Sequence, residues 1–258
     1  MKSTPIARER RHTLRFLAEI SSFSPVFLDT EVDMTAVVAH RAQGQRYSII
    51  AYVLYAAARV LRAHPEANAA IRGGIRPRVA RYQEVNGKFT LDRTLNDRRI
   101  VLSAVLPGLQ DATLKDIQRR LDHFRTGDPA TMPEFAPIRL LHSLPLPLGG
   151  LLFRLGARPL HRRPAIMGTF AVTSLGHRAV DSFHSVGGTT VTLGVGRICD
   201  RPAVRDGELA IALTMRLSLA FDHRVIDGAE AADVLTEIKA ALEGFLEDAA
   251  RPVMGARA

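Results

Sequence analysis

Apolar residues occupy every second position from Leu209 to Phe221, with alanine, polar or charged residues between them. A period of two is typical of a β-strand that buries one face, so a long strand with one buried face is predicted here. Behind it, residues 229–245 carry apolar side chains at helical spacing, which predicts the last helix. His223 lies between these two elements, where a rigid strand would hold the imidazole and still leave it reachable.

The remaining pattern alternates helices and strands. Residues 48–64 have the apolar spacing of a helix, which Pro65 ends. Thr113 and Asp116 form a capping box for a helix that runs to Phe124. The mixture predicts an α/β protein, a mixed sheet packed by helices, in a single domain over residues 1–258 with a core at about 8–245. Further segments are predicted as a helix at 7–20 and strands at 26–34, 100–106, 169–174 and 190–198.

Residues 134–164 form a Leu- and Pro-rich insertion without a regular pattern. The prolines, together with Arg154 and Arg158, exclude a membrane-spanning helix there. A lid, a partner-binding surface and a short buried helix are all compatible with the composition, and the buried helix is the favoured interpretation.

The composition is that of a globular protein. The chain has 258 residues, of which 47% are hydrophobic and 24% charged, enough to bury a full core. Cys199 is the single cysteine, which excludes a disulfide within the chain. The first 15 residues lack the apolar core of a signal peptide. We therefore expect a cytoplasmic enzyme with no membrane partner.

The formal charge of +9 is carried almost wholly by arginine, since lysine occurs only at positions 2, 88, 115 and 239. Nucleic-acid binding would favour basic stripes interleaved with aromatic residues, but the arginines are scattered and tryptophan is absent. No nucleic-acid partner is expected. An arginine-rich surface suits a phosphorylated ligand such as coenzyme A, although a solvated surface without a ligand explains it equally well.

The residues around His223 allow both a chemical and a structural interpretation. A histidine can accept a proton near neutrality, so His223 is a candidate general base, although a packed strand-end histidine needs no chemistry. Asp227 is followed three residues later by Glu230, a pattern that caps a helix. No further His or Cys pair stands at ligand spacing, so no metal is expected.

Gly168 to Gly176 places hydroxyl side chains at a strand end before a glycine turn. Such hydroxyls can stabilise an oxyanion, and they are also common in ordinary strands. No Gly-x-Ser-x-Gly elbow is present, which disfavours a serine nucleophile. Gly194 and Gly196 lack the third glycine of a dinucleotide site.

Several motifs, in order along the chain, resemble the catalytic domain of the dihydrolipoamide acyltransferases, the core subunits of 2-oxo-acid dehydrogenase complexes. Asp222 to Gly228 is similar to the family's His-x-x-x-Asp-Gly signature, which chloramphenicol acetyltransferase shares. Further segments resemble the family at residues 30–33, 64–68, 168–176 and 193–197.

This resemblance implies a chloramphenicol acetyltransferase-like fold and acyl transfer from acyl-CoA. His223 would be the general base and Thr173 the oxyanion donor. Asp227 would brace the site with Gly228 of the same signature, and would pair with Arg11. The family's site lies between subunits, so the resemblance also implies a homotrimer.

The sequence departs from the family in several places. It contains no lipoyl Asp-Lys-Ala turn, and the family's Pro-Pro-Gln loop is replaced by residues 185–190. These differences favour a free-standing acyltransferase, without covalent lipoyl, that acts on a small-molecule hydroxyl or thiol. The alternatives are a dehydrogenase-complex core with lipoyl domains on another chain, and a non-catalytic trimeric scaffold.

Overall fold

A computed structural model describes residues 3–44, 47–73, 75–205 and 207–245 of the chain. These residues form eight α-helices and eight β-strands. The helices are α1 (Arg11–Glu19), α2 (Thr35–Ala42), α3 (Ile49–Ala63), α4 (Leu114–Thr126), α5 (Ala136–Ser143), α6 (Leu146–Ala157), α7 (Arg163–Met167) and α8 (Gly228–Glu243). The strands are β1 (Pro25–Asp33), β2 (Ala69–Arg72), β3 (Arg78–Arg81), β4 (Gly87–Leu95), β5 (Arg98–Leu106), β6 (Phe170–Ser174), β7 (Val191–Arg205) and β8 (Glu208–Asp222).

Six strands build one mixed sheet in the order β1-β8-β7-β6-β4-β5. β6 runs parallel to both β4 and β7, and the other neighbours are antiparallel. β2 and β3 pair with each other in a separate hairpin. The prediction of a mixed sheet packed by helices is therefore confirmed.

The core lies where α3, α4 and α8 pack against the sheet. The largest fully buried side chains include Tyr52 and Leu54 of α3, Phe89 of β4 and Phe221 of β8. The apolar side chains that predicted the last helix are buried as expected: Val234, Leu235, Ile238, Leu242 and Phe245. The Thr113 hydroxyl accepts from the amide of Asp116 at 3.1 Å, so the predicted cap of α4 is confirmed.

The predicted one-face burial of β8 is wrong at both ends of the strand. Leu209 and Ile211 are 81% and 79% exposed, because residues 208–213 pair only with β7 in a two-stranded ribbon beyond β1. Residues 217–222 are buried on both faces, since they lie between β1 and β7 in the middle of the sheet. Alternation in sequence does not reveal which neighbours cover each half.

The 134–164 segment is helical and not irregular, and the expected buried helix is wrong. It contains α5, α6 and the start of α7, and the leucines of α6 are largely exposed. Two side chains of α1 hold this insertion. Arg11 and Arg15 donate to carbonyl groups at the end of α5, where the helix dipole favours a cation. No helix in the described part of the chain is long and apolar enough to cross a bilayer.

Candidate active site

His223 lies in the turn that joins β8 to α8. The strand ends at Asp222, residues 223–225 form the turn, and α8 begins at Gly228. The amide of His223 donates to the carbonyl of Ser24 at 2.9 Å, which fastens the turn to the segment before β1. The imidazole itself is about half exposed. The backbone is thus fixed while the side chain stays within reach of a ligand.

The carboxylate that braces this turn is Asp222, which the sequence analysis did not single out. Asp222 is buried and accepts from Arg224 Nη2 at 2.5 Å and Nε at 2.9 Å. It also accepts from the amides of Arg224 at 3.2 Å and Ser24 at 3.4 Å. The hydrogen bonds that Arg224 donates to Asp222 raise the pKa of Arg224 above its usual range. The sequence signal for this role was the position of Asp222 directly before His223. The alternating pattern of the strand predicted that Asp222 would face solvent.

Asp227 does not make the contacts expected of it. Its side chain is 89% exposed, lies 3.6 Å from His223 Nδ1 and forms no cap hydrogen bond to α8. That separation is too long for a hydrogen bond. Glu230 bonds His64 Nδ1 at 2.9 Å and so does not complete a capping box. The prediction of an Asp-x-x-Glu cap is wrong, because each partner points elsewhere.

The expected pair between Arg11 and Asp227 is also corrected. Arg11 Nη1 donates to the carbonyls of His142 at 3.0 Å and Leu144 at 3.1 Å, so it holds the insertion and not the histidine turn. Gly228 begins α8, and a Cβ at this position would meet no atom within 4 Å. The described structure gives Gly228 no steric requirement for glycine.

Thr173 lies near the end of β6 and is partly exposed. Among the residues that the structure describes, its hydroxyl has no hydrogen-bond partner, which leaves it available to a ligand. Thr173 lines a cavity of about 700 Å³ between β4, β5, β6 and α1. The hydroxyl expected to donate to an oxyanion thus opens onto a space of substrate size.

The cavity beside Thr173 is strongly cationic. Asp92 is the only acid in its described lining, and it accepts from Arg99 Nε at 2.8 Å. The hydrogen bond from Arg99 lowers the pKa of Asp92. This local neutralisation leaves a net positive wall that favours an anionic ligand. The basic residues of the lining are Arg10, Arg93, Arg99, Arg125, Arg178 and His177.

His223 and Thr173 do not meet within one chain. Thr173 stands opposite Gly194 in β7, and Gly194 stands opposite Ser218 in β8. From Ser218 the chain runs five residues further to His223. The path from Thr173 to His223 crosses two spacings between neighbouring strands and then runs five residues along the chain. These steps place the two Cα atoms about 20 Å apart. A single chain therefore holds two separate candidate half-sites, one at each of these side chains.

The comparison with protein families covers the histidine turn. Residues 159–249 match the family described as 2-oxoacid dehydrogenases acyltransferase (catalytic domain). This stretch contains both Thr173 and His223. This part of the chain is therefore similar to the catalytic domain of that acyltransferase family.

Curated relatives share a short segment with this chain. The dihydrolipoyllysine-residue acetyltransferase component of the pyruvate dehydrogenase complex of Bacillus subtilis is 55% identical over 47 residues. The corresponding Staphylococcus aureus protein is 51% identical over the same length. The match covers 18% of this chain and 11% of each relative, so the chain spans a small part of their length.

Solved structures share the fold of this chain over nearly its whole length. A probable dihydrolipoamide acetyltransferase from Listeria monocytogenes has a TM-score of 0.71 at 20% identity and covers 97% of this chain and 98% of its own. Chloramphenicol acetyltransferase has a TM-score of 0.52 at 14% identity, with 92% and 96% covered. The predicted chloramphenicol acetyltransferase-like fold is therefore confirmed.

Two cationic side chains, one buried and one partly buried, support the loop at residues 185–190, where the sequence departs from the family pattern. Lys88 donates to the carbonyl of Gly187, and Arg163 Nη2 donates to that of Gly188 at 2.7 Å. Burial lowers the pKa of Lys88 to about 7, and neighbouring Arg163 adds to the effect. Gly188 has a positive φ of 73°, and a Cβ there would collide with Ile20. Within the described ranges, no group of three or more His, Cys, Asp or Glu side chains could hold a metal.

Proposed function

We propose that the chain transfers acyl groups between coenzyme A and an acceptor, with His223 as the general base. The observation that carries the proposal is the half-exposed imidazole on a turn fixed by buried Asp222, inside the stretch that matches the family. A general base must be held in a fixed position and must stay accessible to the substrate, and this turn meets both requirements. Asp222, and not Asp227, is the brace in this proposal.

The proposed reaction is a two-step exchange at the thioester carbonyl. His223 removes the proton of the acceptor thiol or hydroxyl, and the resulting anion attacks the carbonyl carbon. The Thr173 hydroxyl donates to the oxyanion of the tetrahedral intermediate. When the carbon–sulfur bond breaks, the imidazolium returns its proton to the leaving thiolate. Atoms and charge balance without a metal or a redox partner.

The distance between the half-sites supports a catalytic assembly of at least two copies. One copy would supply His223 and its neighbour Thr173, in agreement with the homotrimer that the family resemblance implies. The exposed apolar ribbon of β7 and β8, including Leu209 and Ile211, supports further contact between copies. For the Azotobacter vinelandii dihydrolipoamide acetyltransferase, a serine, a histidine and an asparagine four residues later have been investigated in the catalytic mechanism. Thr173, His223 and Asp227 are comparable residue types here.

Coenzyme A as co-substrate is supported by the charge of the cavity beside Thr173. Its arginines outnumber its single acid, and guanidinium groups bind phosphates well. The names of the relatives, dihydrolipoyllysine-residue acetyltransferase and the cubic core of the pyruvate dehydrogenase complex, favour a dihydrolipoyl thiol as the acceptor. A small-molecule hydroxyl is the second candidate, because the helical insertion at 134–164 and the loop at 185–190 differ from the family pattern.

Release of free CoA from acetyl-CoA tests this function, with dihydrolipoamide and a panel of alcohols as acceptors. We expect His223→Ala to abolish turnover and Thr173→Val to lower kcat by about 10²–10³, the typical effect of losing one oxyanion donor. Thr90→Val is the matched control, since Thr90 lines the same cavity from β4. Unchanged turnover in His223→Ala would refute the base. No turnover with any acceptor by a stable oligomer would favour the scaffold alternative.

Mixing the two inactive variants tests whether the site is shared between copies. In a ring assembled from equal amounts of His223→Ala and Thr173→Val chains, about one quarter of the interfaces combine an intact histidine with an intact threonine. Co-assembly should therefore restore about one quarter of wild-type activity. If co-assembled rings stay inactive while the separately purified wild type is active, the shared site is refuted.

A further inference from the structure

Helix α6 turns its small residues toward the protein and its leucines toward solvent. Gly149 packs directly on the guanidinium of Arg15, and Ala157 is buried. Gly156 faces Ile166 of α7, because a Cβ on Gly156 would lie 3.5 Å from that side chain. The side chains on the outer surface are 43–60% exposed and comprise Leu148, Leu151, Leu152 and Leu155.

These four leucines form one continuous stripe. At 3.6 residues per turn they fall within about 100° of the helix circumference, with Gly149 and Gly156 next to one edge of the stripe and Ala157 on the opposite side. Arg154 lies on the flank of the stripe. A helix that packs its glycines against its own protein and exposes its leucines to solvent is suited to bury those leucines against a partner.

The segment of chain that carries the stripe is basic throughout. Residues 135–180 contain six arginines and no Asp or Glu. Arg154 and Arg162 are exposed, and neither forms an ion pair with any part of the chain that the structure describes. The field around α6 therefore favours a negatively charged partner.

The hairpin of β2 and β3 extends this basic surface. Arg72, Arg76 and Arg78 line one side of a cavity of about 630 Å³, and residues 159–161, directly after α6, line the other. Ile75 at the tip of the hairpin is fully exposed. An apolar tip flanked by arginines thus stands on a hairpin that faces the segment directly after the leucine helix.

We propose that α6 and the β2–β3 hairpin dock on the surface of an anionic phospholipid membrane. The leucine stripe and Ile75 would enter the boundary of the acyl chains, and the arginines would contact lipid phosphates. Leucines that protrude from a convex helix suit a deformable bilayer, whereas nucleic acid would leave them in water. The helix would lie on the membrane, so the exclusion of a spanning segment still holds. The proposal does contradict the expectation, made from the sequence, that the protein has no membrane partner.

Sedimentation of the full chain with lipid vesicles tests the docking. Vesicles of phosphatidylcholine alone are compared with vesicles that hold about 30 mol % phosphatidylglycerol. We expect binding to the anionic vesicles only, weakened when salt rises from about 0.1 M to about 0.5 M. Replacing Arg76 and Arg78 by Gln should weaken partitioning about 30-fold, at the usual gain per basic residue. Arg98→Gln with Arg119→Gln on exposed sites elsewhere makes the same charge change and serves as the control.

A matched pair of variants tests how much the apolar side chains contribute to vesicle binding. Leu155 and Val101 are 60% and 57% exposed, so Leu155→Gln and Val101→Gln perturb folding about equally. Only Leu155→Gln should lower vesicle binding, and Leu151→Gln added to it should bring the loss to at least about tenfold. Acetyl-CoA turnover should stay unchanged, since neither leucine contacts a half-site.

Three results would overturn the proposal. The first is no binding of wild type to anionic vesicles, and the second is equal binding to both vesicle types. The third is loss with the arginine pair but not with the leucines, which would indicate a site for a soluble polyanion or an acidic protein. If the protein does not bind vesicles and the leucine variants change the elution volume of the oligomer, the stripe contacts another copy of the chain.

Discussion

Lys88 gives the sharpest prediction about stability. Its ammonium is buried in β4 with a backbone carbonyl of Gly187 as acceptor, and its ring neighbour is Phe16, 4.9 Å from Nζ. Burial, with Arg163 as the second cause, lowers its pKa from 10.5 to about 7. No carboxylate among the described residues pairs with it. The folded state therefore disfavours the protonated form of Lys88, which the unfolded chain retains.

The sign of the pH dependence follows from this lowered pKa. Below about pH 7 both states hold the proton, and the cost of burying the charge is fully present. Between about pH 7 and 10.5 the unfolded chain binds the proton and the folded chain does not, so the stability of the wild type rises with pH. At pH 7 the difference costs about 4 kcal/mol, and at pH 9 about 2 kcal/mol.

Lys88→Met removes that cost and leaves the Gly187 carbonyl without its donor, a loss of about 2 kcal/mol. The variant should be about 2 kcal/mol more stable than wild type at pH 7 and about equally stable at pH 9. Urea unfolding followed by far-UV circular dichroism, at matched protein concentration, measures both values. Lys115→Met on the exposed face of α4 is the control and should show no such change. A stability difference that is the same at both pH values would contradict the lowered pKa of Lys88.

Three further predictions concern the site and the insertion. Asp222→Ala leaves Arg224 without its partner and should lower the free energy of unfolding by about 3 kcal/mol, measured by urea unfolding; a loss below about 1 kcal/mol would contradict the bracing role. Asp227→Asn should keep kcat/KM within about threefold in the CoA-release assay, because its carboxylate is exposed and forms no hydrogen bond to His223; a loss of about 100-fold would show that its charge matters. Burial, followed by the charge of His12, lowers the pKa of His142 to about 4, so the folded state loses stability as pH falls below the unfolded value of about 6.5. His142→Gln should therefore lose about 2 kcal/mol less than wild type between pH 7.5 and pH 5, and an identical loss would refute this linkage.

Local patterns predicted most of the elements that carry strong periodicity. The helices at 48–64 and 229–245 were found within two residues of their predicted ends, because each buries an apolar stripe that its own spacing defines. β4 and the β2–β3 hairpin were missed. β4 carries Lys88, Asp92 and Arg93, so its composition does not indicate a strand that lies inside a sheet.

The site was predictable in its residue types but not in its bracing. The His223 motif and the Thr173 strand were both visible in sequence, since each depends on a short run of neighbours. The roles of Asp222, Asp227 and Arg11 depend on where side chains point after the chain has turned. Asp222 is buried with Arg224, and Arg11 turns toward α5, 131 residues along the chain from it.

Local sequence was enough to predict the order of strand, histidine turn and helix, and to reveal the resemblance to the acyltransferase family. These features follow from periodicity and from adjacent residues. Tertiary packing alone places His223 and Thr173 about 20 Å apart, extends residues 208–213 of β8 beyond β1 as a ribbon, and leaves the leucines of α6 exposed. Those facts depend on strand register and on packing between segments far apart in sequence, which local spacing does not encode.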